Sequence, residues 1–133
     1  MKNILILLIA GILTVPLCGQ KELTRAEQSD FQSTSTYEEV LQFMTALTKN
    51  NVHARMDYFA RSIEGRDLPL IIIADPLPPS YEALEKDERI VVYLQANIHA
   101  GEVEGKEATQ MLARDLLKGE LSEKILENVI VLI

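Results

Sequence analysis

The chain has 133 residues, room for one small domain and not two. It is 47% hydrophobic and 25% charged, an ordinary globular composition that excludes a disordered chain, a collagen-like repeat and a multi-span membrane protein. Its net charge is −7, and an acidic chain is not expected to bind nucleic acid, which needs clustered Lys and Arg.

Met1-Lys2-Asn3 is a short basic start, and an apolar run from Ile4 to Leu13 follows it. That run is too short for the roughly 20 residues of a membrane span and fits a signal-peptide core. Residues 1–20 are therefore expected to be a signal peptide, and the protein to be exported, either periplasmic or extracellular. Cys18 leaves two readings open. The leader is cleaved close to it, or Cys18 carries the lipid of a bacterial lipoprotein, with Leu17 standing where a small residue is usual. A membrane is expected as a partner only through that lipid. As the single cysteine, Cys18 can make neither an intramolecular disulfide nor a Cys-based zinc ribbon.

Residues 21–36 are polar, with Ser29, Ser33, Thr34, Ser35 and Thr36 crowded together, and read as a linker or loosely held arm. Thr36-Tyr37-Glu38-Glu39 has the form of a capping box. Val40, Phe43, Met44 and Leu47 then recur at helical spacing, and Lys49-Asn50-Asn51 closes the helix. Arg55 to Ser62 alternates, with Met56, Tyr58 and Ala60 on one side and Phe59 as the exception. A turn at Ile63–Asp67, with Gly65 as its flexible residue, leads to a returning strand from Leu68 to Ala74. Pro69 cannot donate to a ladder and belongs near that strand's start or on an edge.

Asp75 to Glu88, with Pro76, Pro78 and Pro79, reads as a surface loop with a short helical patch from Ser80. Ile90 to Ala96 is nearly continuous and β-branched, the pattern of a strand covered on both faces. Glu102 to Lys118 reads as a helix with Ala108, Met111, Leu112, Ala113, Leu116 and Leu117 as its apolar face and Gly119 as its stop. Leu121 to Glu127 reads as a shorter helix and Val129 to Ile133 as a strand. Strand, helix and strand make a βαβ unit, expected to be right-handed with parallel strands. Five apolar residues end the sequence without a polar cap, so the chain is expected to be a piece of a longer protein, cut in mid-sheet.

The chemistry concentrates in Asn97-Ile98-His99-Ala100-Gly101-Glu102-Val103-Glu104-Gly105. A histidine and a carboxylate three residues apart, where a strand turns into a helix, can swing to one point. Gly101 is expected to let the turn between them be tight. The carboxyl ends of strands are where open α/β sheets place their sites. Imidazole nitrogen and carboxylate oxygen suit zinc, whose catalytic sites use three protein ligands and a water. His-x-x-Glu alone is a weak pattern; its place between a buried strand and an amphipathic helix strengthens it. His53, Glu104 and Arg66 read more simply as a helix-end histidine, a first-turn acid and a solvated turn cation.

"NIHAGEVEG" after "IVVYLQA" resembles the first zinc-ligand motif of the zinc carboxypeptidase family, the carboxypeptidase A-like metallopeptidases. "RSIEGRDLPLIII" resembles the hairpin that precedes it there, and the order of elements from Tyr37 to Ile133 also corresponds. The resemblance implies a three-layer α/β/α fold with a mixed sheet, filling residues 37–133 as the N-terminal part of a catalytic domain. It implies one zinc ion, with His99 and Glu102 as metal ligands, and a peptide or protein substrate with a free C-terminus. The third ligand (a histidine), the arginines that grip the substrate carboxylate, a substrate-side tyrosine and the glutamate base have no counterpart here. They are expected downstream of Ile133. Many members also carry an arginine between the two early ligands, where this chain has Ala100 and Gly101. By this reading the 133-residue chain alone is inactive. Two other functions remain open: a zinc-dependent deacylase of N-acyl amino acids on a related fold, and a non-catalytic exported binding module.

Overall fold

The computed structural model describes residues 22–119 and 122–133. The expected signal peptide and Cys18 lie outside the described residues. Four strands, β1 (Ala54–Arg61), β2 (Asp67–Ile73), β3 (Ile90–Tyr93) and β4 (Val129–Leu132), form one sheet in the order β1-β2-β4-β3. The pairs β1–β2 and β2–β4 are antiparallel and β3–β4 is parallel, so the sheet is mixed and the fold class is α/β as expected. Five helices, α1 (Arg25–Gln28), α2 (Tyr37–Thr48), α3 (Tyr81–Glu85), α4 (Val103–Lys118) and α5 (Ser122–Leu126), complete the described residues. None of them is long and apolar enough to cross a membrane.

The core is built on β2. Ile71, Ile72 and Ile73 are each fully buried, because alternate residues face opposite sides of a sheet covered on both. Ile71 and Ile73 join Val131 and Ile133 against Phe43, Met44 and Leu47 of α2 and Ala113 and Leu116 of α4. Leu70, Ile72 and Ile130 face the other way, against Leu77 and Leu84 of the proline-rich loop and α3. Each fully buried isoleucine contributes about 1.5–3 kcal/mol.

Most expected elements are present. Thr36 accepts from the Glu39 amide and the Glu39 carboxylate accepts from the Thr36 amide, which is the expected capping box. Gly65 takes a left-handed φ of 80° in the hairpin turn. The register of β1 against β2 slips between Tyr58 and Ala60, so Phe59 is the residue of a β-bulge. The bulge explains why Phe59 broke the alternation. Pro69 pairs with Tyr58 beside that bulge. Gly119 does end α4, by close approach: a Cβ there would lie 2.5 Å from the Asp115 carbonyl oxygen.

Three expectations change. Ile90 to Ala96 reads as a strand covered on both faces, yet β3 ends at Tyr93, is an edge strand of the sheet and has all four of its residues exposed, Ile90 at 67%. Its sequence describes a buried strand, yet Val91, Val92 and Tyr93 are 47%, 36% and 52% exposed. The buried face of α4 also differs. Ala108 and Leu112 are exposed, while Glu107, Gln110 and Arg114 are buried with Ala113 and Leu116.

The third change accounts for the second. Residues 22–36 form a packed segment with a capped turn of helix, α1, and they lie on the polar face of α4. The Glu107 carboxylate accepts from the Ser35 amide at 2.6 Å, the Thr34 hydroxyl at 2.8 Å, the Ser35 hydroxyl at 3.1 Å and the Ala26 amide at 3.4 Å. The Arg114 guanidinium donates to Glu27 at 2.5 Å and to the Glu22 carbonyl at 3.0 Å. Glu107 and Arg114 are buried on α4 because each has charged or backbone partners in the arm, and Gln110 Nε2 donates to the Ser35 hydroxyl at 3.4 Å. Lys118 with Glu22, and Lys106 with the Ser35 carbonyl, extend the same seam.

Burial pushes the Glu107 carboxyl up, but the hydrogen bonds from Ser35, Thr34 and Ala26 outweigh it and leave the pKa below its ordinary value. Glu107→Gln keeps one acceptor oxygen and turns an NH2 group towards donors, so it should cost about 2 kcal/mol and lower Tm. Calorimetry of the variant reads this directly, and an unchanged Tm would contradict the role of Glu107. Because the folded pKa is depressed, the contribution of Glu107 is complete above the unfolded value of about 4.3 and is lost as pH falls through the folded one. The acid limb of stability against pH should therefore be shallower in Glu107→Gln. Superimposable limbs would count against it.

Candidate metal centre

The site is set by how β3 hands over to α4. The β3–β4 ladder runs from Ile90↔Val129 to Tyr93↔Leu132, and the Leu94 amide extends it by donating to the Leu132 carbonyl at 2.8 Å. This fixes the line along which the chain leaves the sheet. At the far end α4 starts at Val103, with Glu102 as its N-cap residue. The first turn of α4 lies against the chain that follows β3: a Cβ on Gly105 would stand 3.6 Å from the Ala96 Cβ, an ordinary contact. The approach of the chain before β3 is held by Arg89, which donates to the Leu126 carbonyl at 3.2 Å and the Pro76 carbonyl at 2.8 Å. Arg89 also grips Asp87 and holds its carboxyl well below the usual range, at about 2.

Between these fixed ends His99 and Glu102 meet. His99 Nδ1 lies 2.7 Å from Glu102 Oε1, the His99 amide donates to Glu102 Oε2 at 3.4 Å, and the Glu102 amide donates to the His99 carbonyl at 3.0 Å. The side chains are 79% and 56% exposed. The pair thus projects into solvent at the carboxyl end of a sheet strand, a nitrogen and a carboxylate aimed at one another. A cation between them would find one imidazole nitrogen and one carboxylate. No group of three or more His, Cys, Asp or Glu that could hold a metal exists among the described residues. The described residues therefore supply two donors, short of the three that a catalytic zinc site uses.

The other singled-out residues are elsewhere. His53 Nδ1 faces Asp75 Oδ1 at 3.3 Å, in the connection between α2 and β1. Glu104 is an exposed first-turn acid of α4. Arg66 pairs with Glu64 at 3.0 Å and lies over the Tyr37 ring at the tip of the hairpin.

One feature of the turn differs from expectation. Gly101 has no left-handed φ, and the left-handed residue of this connection is Asn97, with φ of 58°. Asparagine enters that region more readily than other side-chain-bearing residues, and its place just after the strand was the signal in the sequence. Asn97 and Ile98 also line a cavity of about 340 Å³ between β2, the end of β3, α2 and α4.

Comparison with known proteins bears on both fold and family. No curated protein matches the chain. Among solved structures, a protein named as a carboxypeptidase from Burkholderia mallei superimposes with a TM-score of 0.63 at 20% identity, over 75% of this chain and 24% of that one. One named as a carboxypeptidase A from Shewanella denitrificans gives 0.61 at 20% identity, over 74% and 24%. A metallo-carboxypeptidase from Burkholderia cenocepacia gives 0.62 at 21% identity, over 75% and 26%. At these identities the likeness is one of fold, and the chain spans about a quarter of the length of those structures. The sequence model of the zinc carboxypeptidase family matches residues 40–133, which include the hairpin, the turn and both ends of the βαβ unit. The chain belongs to the zinc carboxypeptidase family.

Proposed function

We propose that the chain is the N-terminal part of an exported zinc metallocarboxypeptidase, in which His99 and Glu102 are two of the zinc ligands. The observation that carries this is the 2.7 Å approach of His99 Nδ1 to Glu102 Oε1 at the exposed end of β3. The donor set suits zinc, which is bound by His nitrogen and Glu oxygen at about 2.0–2.2 Å. Zinc, when held there with a third ligand, supplies a Lewis acid for the scissile carbonyl and an acidified water. The part played by this chain is narrower. His99 presents Nδ1, Glu102 presents its carboxylate from the N-terminus of α4, and the turn that joins them runs from the end of the β3–β4 ladder to the start of that helix. The third histidine ligand, the glutamate base and the substrate-binding arginines are assigned to sequence beyond Ile133. The substrate is a peptide with a free C-terminus, and the basic start and apolar run of residues 1–20 support work outside the cytoplasm.

Two ligands make a weak site, so the purified 133-residue chain should bind zinc reversibly, lose it on dialysis and hydrolyse no peptide. His99→Ala removes an exposed side chain and should shift stability by no more than about 0.5 kcal/mol. It should abolish the zinc response, read as zinc-induced changes in the histidine NMR signals. In a longer protein that contains this chain, the same substitution should reduce release of C-terminal amino acids from peptides to background. Undiminished peptide hydrolysis by that variant, or hydrolysis confined to N-acyl amino acids in the parent, would overturn the proposal.

A further inference from the structure

The metal pair is exposed, and the contacts that join it are internal to the turn: one side-chain approach and two hydrogen bonds that involve backbone amides. Residues this exposed are not pressed into place by the core. The direction in which the chain leaves β3 must therefore decide where His99 stands. That direction is constrained at both ends, by the β3–β4 ladder through Leu94 and by the seat of α4 against Ala96. Residues 97–101 have to join the two, and a left-handed residue makes the change of course.

Four non-glycine residues among those described have positive φ: Asp30, Phe31, Asn50 and Asn97. The first three lie in connections before β1. Asn97 alone stands at the ligand turn, two residues before His99. The left-handed region is costly for most L residues and worst for β-branched ones, while asparagine enters it more readily and glycine freely.

We propose that Asn97 is a positioning residue for the metal pair: its left-handed backbone sets the turn that brings the His99 imidazole onto the Glu102 carboxylate. The proposal rests on the reading of those two residues as metal ligands. Asn97 itself need not touch the metal. It acts on affinity through population, because the apparent Kd is the intrinsic one divided by the fraction of molecules with the turn formed. A residue that resists positive φ lowers that fraction; glycine, which accepts it, keeps the turn within reach.

The test is a zinc titration of the 133-residue chain and its Asn97→Gly, Asn97→Ala and Asn97→Val variants, followed through the His99 imidazole NMR signals. Asn97→Gly should bind within about threefold of the parent, and Asn97→Val about tenfold or more weaker. Tm and the amide signals of the sheet should stay in place, and the zinc-free Asn97→Val protein should lose the nuclear Overhauser contact between His99 and Glu102. If Asn97→Val does not fold, Asn97→Ala carries the same test, with a smaller loss in the same direction. Binding by the β-branched variant equal to the parent, with the His99–Glu102 contact retained, would overturn the proposal. Equal weakening in the glycine variant would also overturn it, since the side-chain amide and not the backbone would then be responsible. Parent His99 signals that zinc leaves unmoved would defeat the ligand reading alone, and the zinc-free contact would still decide the role of Asn97.

Discussion

Everything in this structure hangs from the burial of β2. Its isoleucines at 71, 72 and 73 are closed off on both faces, so the strand can sit only inside the sheet, with β1 on one side and β4 on the other. The register of β4 against β2 then sets the height at which β3 lies alongside β4. That height fixes where the turn after β3 begins. A pair of exposed residues far from the core thus inherits its place from three buried ones. A one-residue slip of β4 would reverse which of its side chains face α2 and α4, and would move the His99 turn along the sheet.

A large part of this architecture is legible in the sequence, because the signals are local or periodic. The capping box at Thr36, the alternation of β1, the β-branched run of β3 and the spacing of α4 each report a backbone state that neighbouring residues impose. The approach of His99 to Glu102 is legible for the same reason, since the two are three residues apart and need no long-range contact to meet. The errors arise where a distant partner decides. The arm at residues 22–36 is polar and reads as a linker; it is packed because Glu107 and Arg114, on a helix some 80 residues away in sequence, supply its partners. The apolar face expected on α4 holds at Ala113 and Leu116 and fails at Ala108 and Leu112, while Glu107, Gln110 and Arg114 are buried because a polar arm covers the helix. Gly101 drew the role of turn residue because it is a glycine, although the left-handed φ falls on Asn97.

The seam between the arm and α4 bears on the proposed metal pair. Glu107 lies five residues along α4 from Glu102, and the hydrogen bonds it accepts fasten the first two turns of that helix to the arm. The helix that presents the Glu102 carboxylate is therefore anchored from its polar side by the arm and from its apolar side by the sheet. On the opposite flank β3 is apolar and uncovered, while β1 carries Arg55, Asp57 and Arg61 and a bulge, devices that blunt an edge. The two edges of the sheet are thus unlike: β1 is made to meet water, and the sequence of β3 is that of an interior strand.

Whether His99 and Glu102 form a metal half-site is decided by diffraction at the zinc absorption edge from zinc-soaked crystals of this chain. An anomalous peak is expected within about 2.0–2.2 Å of both His99 Nδ1 and a Glu102 carboxylate oxygen. A peak at the His53–Asp75 pair, with none between His99 and Glu102, would contradict it.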